Sequence, residues 1–258
     1  LGGSYKPNEN IEIYSNISEN YRSVTFADIS IINPAFSINP DISDERGNTI
    51  DLGIRGNINK LISYDLTLFN LNYKDRIGFA QKEFKDGSVK SERGNIGDAI
   101  IYGLESNIDF DVNNLIIKND NISLNVFLNT AIIDSEYIRS EENGVIGKKV
   151  EFVPNYNIKT GIKLGIGNFI FNTQYSHVST QFTDSSNAKE GNISGIIGEI
   201  PGYSLLDFSI AYRLKKIKIE TGINNLTNTY YFTRRATGYP GPGIIHVSYT
   251  HLRAHETS

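Results

Sequence analysis

The stretch 98–112, DAIIYGLESNIDFDV, decides the fold because apolar and polar side chains alternate along it. The apolar positions are Ile100, Tyr102, Leu104, Ile108, Phe110 and Val112. The polar residues between them are Glu105, Asn107, Asp109 and Asp111. A period of two places side chains on opposite faces of a β-strand, so this segment has one apolar face and one wet face.

Similar strand-like segments recur along the chain. They lie at about 10–20, 48–58, 61–80, 121–137, 156–166, 168–182, 203–214 and 217–231. The connections are alternately short and long, and the long ones are about 21–47, 81–97, 138–154, 183–202 and 228–243. Tight turns on one rim and large loops on the other are typical of a membrane-spanning barrel. We therefore predict an all-β fold, a partial antiparallel up-and-down transmembrane β-barrel of about ten or eleven strands.

Composition limits the possible functions of the 258 residues. There is no cysteine, so no disulfide framework or thiolate metal site is available, and the net charge of −4 gives no basic surface for nucleic acid. No apolar run reaches the roughly 18 residues of a transmembrane helix. Phosphate-loop and hydrolase motifs are missing, so we expect no enzyme activity, no catalytic residues, no metal site and no cofactor.

Alternation alone does not identify the environment of the apolar face. A soluble β-sandwich would bury it, whereas a barrel would turn it to lipid. Two observations favour the barrel: several segments run ten or more residues, and tyrosines gather near segment ends as an aromatic girdle would. These are Tyr14, Tyr21, Tyr73, Tyr137, Tyr156, Tyr175, Tyr203, Tyr230 and Tyr231. A passive porin-like barrel and a soluble secreted β-sandwich or carbohydrate-binding module stay open as alternatives. A slip in the alternation at Leu68-Phe69 predicts a β-bulge.

A series of short motifs has the order and spacing of a known family. The motifs are NPD at 39–41, TIDLGIRG at 49–56, NIG at 95–97, YGLE at 102–105, FVP at 152–154 and GINNLTN at 222–228. Over about residues 1–245 they resemble the C-terminal half of TonB-dependent outer-membrane receptors. The resemblance implies part of a barrel of roughly 22 strands, whose wide lumen is closed by a plug.

The same resemblance implies a function and partners. We expect a receptor fragment for TonB-dependent active uptake, located in the outer membrane of a Gram-negative bacterium. Its partners would be outer-membrane lipid, the transported ferric chelate, and the TonB energy-coupling protein. TonB would act through an N-terminal plug and TonB box that this stretch of sequence lacks.

The block 231–243, YFTRRATGYPGPG, resembles the subgroup described as ferric-dicitrate receptors. Arginine recognises carboxylates through two parallel hydrogen bonds. The resemblance therefore suggests Arg234, Arg235 and Tyr239 as ligand-binding residues, and Arg22 in the first long loop is a further candidate. The alternative is that this loop only closes the last hairpin.

The end of the chain breaks the alternating pattern. We assign residues 1–245 to the barrel and 246–258 to a non-native tail that resembles translated sequencing-adaptor read-through. Three histidines lie in this tail, His246, His251 and His255, and their spacing suggests a zinc site. We expect no such site, because the tail need not be encoded by the organism.

Overall fold

The computed structural model describes residues 1–119, 121–191, 195–215, 217–233, 235 and 245–252, the last range by its backbone alone. The strands are β1 Gly2–Asn8, β2 Ile11–Arg22, β3 Phe36–Ile38, β4 Glu45–Ile58, β5 Ile62–Glu83, β6 Val89–Asp111, β7 Ile122–Arg139, β8 Tyr156–Ile166, β9 Phe169–Val178, β10 Gln181–Phe182, β11 Glu199–Ile200, β12 Tyr203–Leu214, β13 Ile217–Asn224 and β14 Ile245–Leu252. The helical pieces are α1, Phe26–Ile29, and a π-helical turn, Asn113–Ile117. No helix of these described ranges is long and apolar enough to cross a membrane.

One antiparallel meander forms the molecule. Eleven strands are neighbours in the order β1-β2-β4-β5-β6-β7-β8-β9-β12-β13-β14, and β3 joins the same sheet through β6. Among the described residues, β10 and β11 form a separate two-stranded pair. The sheet is open, so the predicted partial up-and-down barrel is confirmed. The β-sandwich alternative is wrong, because the long strands do not divide into two packed layers.

The two faces of the sheet differ in chemistry. The apolar face carries Ile50, Leu52 and Leu68, and the side chain of Leu68 is 57% exposed. The polar face carries hydrogen-bonded side chains, such as Tyr14, whose hydroxyl donates to the Asp65 carboxylate at 2.6 Å. An exposed row of large aliphatic side chains opposite a bonded polar row is the pattern of a barrel wall with lipid outside and water inside.

Backbone geometry explains how tightly the strands turn and pack. Leu61 N closes the turn between β4 and β5 by donating to Ile58 O at 2.9 Å. Its two central residues, Asn59 and Lys60, have φ values of 51° and 59°, and positive φ at both positions is what a type I′ turn requires. Within the sheet, the Tyr14 ring lies over Gly53, where an added Cβ would stand 2.2 Å from the ring Cζ atom. Glycine therefore makes room for an inward-facing aromatic ring.

Some predicted boundaries are wrong. The segment 81–97 is not a long loop, because β5 continues to Glu83 and β6 begins at Val89. Its side chains are polar on both faces, so the composition is that of a loop although the backbone stays paired. The register shifts at Tyr73, Arg76 and Ile77 instead of at Leu68-Phe69. The last predicted strand, 217–231, ends at Asn224.

The aromatic girdle is only partly present. Tyr14, Tyr73 and Tyr137 were expected at the lipid interface, yet all three belong to the polar face by register. Tyr137 is fully buried there. Tyr21 and Tyr156 do belong to the opposite, exposed side of the sheet. Whether a tyrosine falls on the apolar or the polar phase of the alternation therefore predicts its face better than its nearness to a strand end does.

A small hydrophobic core lies on the polar face, under the β7–β8 connection. Its buried members are Ala80, Ile96, Ala99, Ile101, Tyr137, Val145 and Val150. Val145 and Val150 come from the connection, whereas the others come from β5, β6 and β7. Burial of these apolar side chains folds the connection inward over the wall instead of leaving it in water.

The last strand includes part of the predicted tail. The backbone of β14 pairs with β13 from Ile245↔Asn224 to Leu252↔Ile217. This pairing does not test the origin of residues 246–258, so the domain boundary and the non-native tail stay predictions. The side chains of His246 and His251, and all of His255, lie outside what the structure describes.

Candidate functional site

Several long connections meet above the wall and enclose a cavity of about 640 Å³. The β2–β4, β7–β8, β9–β12 and β13–β14 connections and the β5–β6 hairpin each supply part of its lining. The lining residues are Arg22, Thr25, Ala27, Asp28, Ile31, Phe36, Phe79, Ser91, Arg93, Phe152, Thr183, Ile196 and Arg235. A cavity of this size can hold a small ligand.

The β2–β4 connection reaches the cavity because β6 offers it a free edge. The last residue pair of β6 with β7 is Asp98↔Arg139, and the N-terminal part of β6 extends beyond it. There β3 pairs in parallel with Ser91–Arg93, and Asn39 N donates to Arg93 O at 2.8 Å. An unpaired edge is a template for another strand, so this pairing draws the first long loop across the mouth.

A buried carboxylate fixes one side of the cavity. Asp28, only 3% exposed, accepts hydrogen bonds from Arg22 Nη2 and Arg93 Nη2, each at 2.8 Å. Thr25 Oγ1 also donates to it at 2.7 Å. Burial by itself would raise the pKa of Asp28, but these donors outweigh it and hold the pKa far below its ordinary value. The aspartate is therefore charged and neutralises part of the arginine charge.

Arg235 brings a further guanidinium to the cavity from the β13–β14 connection. Its Nε donates to Glu199 O at 2.7 Å, and Nη1 lies 3.5 Å from Ile197 O. The guanidinium is thus anchored to the β9–β12 connection while it lines the cavity. Arg22 Nη1 also lies 4.0 Å from the buried Glu45 carboxylate. Three guanidinium groups therefore stand against two carboxylates, and the cavity keeps a net positive charge that suits an anion.

Aromatic rings complete the lining. Phe36 and Phe79 are in contact, with ring centroids 5.6 Å apart. The guanidinium of Arg93 stacks on Phe79 at 4.6 Å from the ring centroid, a cation–π arrangement. Phe152 is 43% exposed and has a φ of 60°. A bulky residue in this left-handed region costs about 1–3 kcal/mol and marks a position over-determined by its surroundings.

The neighbours of Phe152 hold it in that conformation. Its backbone N donates to Phe182 O at 2.9 Å. The preceding residue, Glu151, is buried, and its carboxylate accepts a 2.7 Å hydrogen bond from Tyr137. Gly78 allows this approach, because an added Cβ would lie 2.0 Å from Glu151 Oε1. The hydrogen bond of its backbone N and the buried residue before it therefore hold the backbone of Phe152 in place.

The structure brings two of the four predicted ligand-binding residues together. Arg22 and Arg235 line the same cavity although they are separated by most of the chain. Arg234 and Tyr239 lie outside the described residues. Sequence reasoning did not select Asp28, Arg93 or Phe152 for the site. Of these three residues, only Phe152 lies in a motif singled out from the sequence, FVP at 152–154, and that motif was interpreted as the segment that precedes the next strand.

Two other depressions lie on the polar face. One of about 350 Å³ and one of about 440 Å³ share Asp65 and Asn107 as lining residues. Glu105 and Asp109, expected on a wet wall, line them as well. Their linings come from the wall strands and the adjoining tight turn. The enclosure by several long connections distinguishes the larger cavity as the candidate site.

Comparison with known proteins gives the same architecture. The family model described as "TonB dependent receptor-like, beta-barrel" matches residues 1–226. A solved structure of the ferric citrate transporter FecA in the unliganded form superposes with a TM-score of 0.73 and 20% identity, over 97% of this chain and 37% of that chain.

Two further solved structures are similar. The copper transporter OprC has a TM-score of 0.72 and 15% identity, over 97% of this chain and 38% of that chain. The ferric yersiniabactin uptake receptor FyuA from Yersinia pestis has a TM-score of 0.65 and 17% identity, over 96% of this chain and 35% of that chain. At these identities the likeness concerns the fold alone. The chain spans less than two fifths of the length of each of these proteins.

Proposed function

The chain belongs to the TonB-dependent receptor β-barrel family, and on that premise we propose that it is the C-terminal part of an outer-membrane receptor for a ferric chelate. In this proposal uptake is active and is driven by TonB through a plug domain supplied by the rest of the receptor. The chelate is cargo, so the chain has neither a resident cofactor nor a catalytic role.

The observation that carries this proposal is the positively charged cavity closed by the long connections. Arg22, Arg93 and Arg235 supply guanidinium donors, which suit the carboxylate or phenolate oxygens of an iron chelate. Similar solved structures include a ferric citrate transporter and a ferric yersiniabactin receptor. Block 231–243 resembles the ferric-dicitrate subgroup, which makes ferric citrate one candidate cargo among the ferric chelates.

The wall itself supports a membrane location. The exposed apolar face, with Leu52 and Leu68, suits lipid, and the polar face suits a water-filled lumen. A lumen bounded by roughly 22 strands is wide and needs a plug. The two depressions on the polar face lie where that lumen would be. We further propose that residues 1–245 belong to the barrel and that 246–258 are not native.

Uptake of radiolabelled iron tests the proposal. The complete receptor is expressed in Gram-negative cells that lack their own ferric chelate receptors, with and without TonB, and ferric citrate is supplied with other ferric chelates. We expect receptor-dependent accumulation of at least one chelate only when TonB is present. Equal accumulation without TonB would favour the passive porin. Recovery of the receptor from membranes without detergent would contradict the outer-membrane location.

A further inference from the structure

We infer that the cavity prefers an anionic ferric chelate with an aromatic or otherwise apolar body, and that Phe152 selects for that body. The inference rests on the proposed function and specifies the class of cargo. It favours an aromatic chelate over a wholly polar one such as ferric citrate.

The first argument is the composition of the lining. Five of the thirteen lining residues are large apolar side chains, namely Ile31, Phe36, Phe79, Phe152 and Ile196. A wholly polar polyanion would lose its own hydration against these surfaces without compensating hydrogen bonds. A ligand with an apolar portion would instead gain from removing those surfaces, and its own, from water.

The second argument is that the arginines already have partners. Arg22 and Arg93 share the buried Asp28 carboxylate, and Arg235 donates to backbone carbonyl oxygens. The charge of the cavity therefore still attracts an anion, but part of each donor set is occupied. A chelate with several carboxylates needs many free donors, whereas an aromatic chelate with fewer anionic groups needs fewer.

The third argument concerns Phe152 itself. A large ring is held at a φ of 60° by a buried neighbour and by a hydrogen bond from its own N–H, yet the residue stays 43% exposed beside the cavity. Glycine or asparagine would suit that backbone better. Keeping phenylalanine there is consistent with a ring presented to a ligand, where it can stack on an aromatic group.

The position of Phe152 in the lining supports such stacking. It comes from the β7–β8 connection, whereas Phe36 and Phe79 come from β3 and β5. Phe79 is already in contact with the Arg93 guanidinium and with the Phe36 ring. Phe152, 43% exposed, is therefore the aromatic side chain of the lining that offers most surface to a planar ligand group.

Binding of two defined probes to the complete receptor in detergent tests the inference. The probes are ferric salicylate, which carries aromatic rings, and ferric citrate, which does not. Dissociation constants are measured calorimetrically for wild type and for Phe152→Gly, which removes the ring and suits the left-handed backbone. Phe152→Asn, which also tolerates that backbone, is the second variant. The matched control is Ile146→Ala, on the same connection, 62% exposed and outside the lining.

We expect the wild type to bind ferric salicylate about tenfold more tightly than ferric citrate, a ratio that stacking and apolar burial can supply. Both Phe152 variants should reduce that ratio about tenfold, while Ile146→Ala leaves it unchanged. Equal weakening of both probes would overturn the inference, since Phe152 would then only hold the loop. A wild-type preference for ferric citrate would overturn it too, but would leave the proposed function intact. Absence of binding to every ferric chelate, with no TonB-dependent uptake, would refute the proposed function as well.

Discussion

Asp28 shows how one residue shapes the mouth of the barrel. It lies in α1 on the first long loop, yet one of its partners, Arg93, belongs to the β5–β6 hairpin. The ion pair between Asp28 and Arg93 therefore joins two connections, and these two residues lie 65 positions apart in the sequence. Removing one member of a buried ion pair destabilises the fold, because the other charge is left buried and unpaired.

Replacing Asp28 with Asn should loosen this link while keeping the shape of the side chain. We expect the loop 23–44 to lose about 1–3 kcal/mol of local stability, as is usual for charge-assisted hydrogen bonds. Hydrogen exchange of the loop amides in the complete receptor measures the change. Asp41→Asn, an exposed aspartate on the same loop, is the control and should leave exchange unchanged. Wild-type exchange in Asp28→Asn would show that the link does not hold the loop.

The same pair predicts a pH dependence. The folded pKa of Asp28 lies below the ordinary value of 3.8, because Thr25, Arg93 and Arg22 outweigh the effect of burial. The contribution of the carboxylate is therefore complete above pH 3.8 and is lost as the pH falls through the folded pKa. The protection of the loop amides from hydrogen exchange in the wild type should therefore stay constant from neutral pH down to pH 3.8 and should fall only at lower pH. A loss of protection between pH 7 and 5 would contradict this assignment.

The depth of a residue along its strand determines how well the barrel wall tolerates a charged substitution there. On β5, Leu68 lies on the apolar face, six residues from the first residue of the strand, Ile62. On β7, Leu124 lies only two residues from its first residue, Ile122, and pairs with Leu164. Both starting residues follow short connections, so Leu68 is the deeper of the two within a bilayer.

Arginine substitutions test this depth. Leu68→Arg should destabilise the barrel by about 2–4 kcal/mol, whereas Leu124→Arg near the interface should cost about 0–1 kcal/mol. Heat-modifiable migration and denaturant unfolding of the complete receptor in lipid vesicles would measure the difference. Equal tolerance of both variants would mean that this face does not meet lipid.

Strands were predictable from sequence to the extent that one face is apolar. Alternation located β8 and β12 correctly, because their apolar side chains repeat every second residue. It failed for 81–97, where both faces of the hairpin are polar and no period marks the strands. Arg22 and Arg235 were selected from sequence, but the contact between Asp28 and Arg93 could not be predicted, because it depends on β3 pairing with β6 and on a connection that has no periodic pattern.

The two outer strands of the sheet make the molecule prone to aggregation. Within the described residues β1 and β14 each pair with a single neighbour, so the sheet ends in two open edges. Open edges favour pairing with other chains. The 258-residue chain expressed alone should therefore elute as heterogeneous aggregates from size-exclusion chromatography in detergent. A sharp monomeric peak would indicate that the sheet closes on itself or that its edges are protected.

The central claim is that the long connections form one positively charged site for a ferric chelate, and direct binding to the complete receptor tests it most directly. Calorimetry with ferric citrate and ferric salicylate should show saturable binding of at least one probe by the wild type. Arg22→Ala combined with Arg235→Ala should weaken that binding by about tenfold or more, the range for lost charge-assisted hydrogen bonds. The matched control, Arg213→Ala at the opposite end of β12, should bind as the wild type does. Wild-type affinity in the Arg22/Arg235 double variant would contradict the claim.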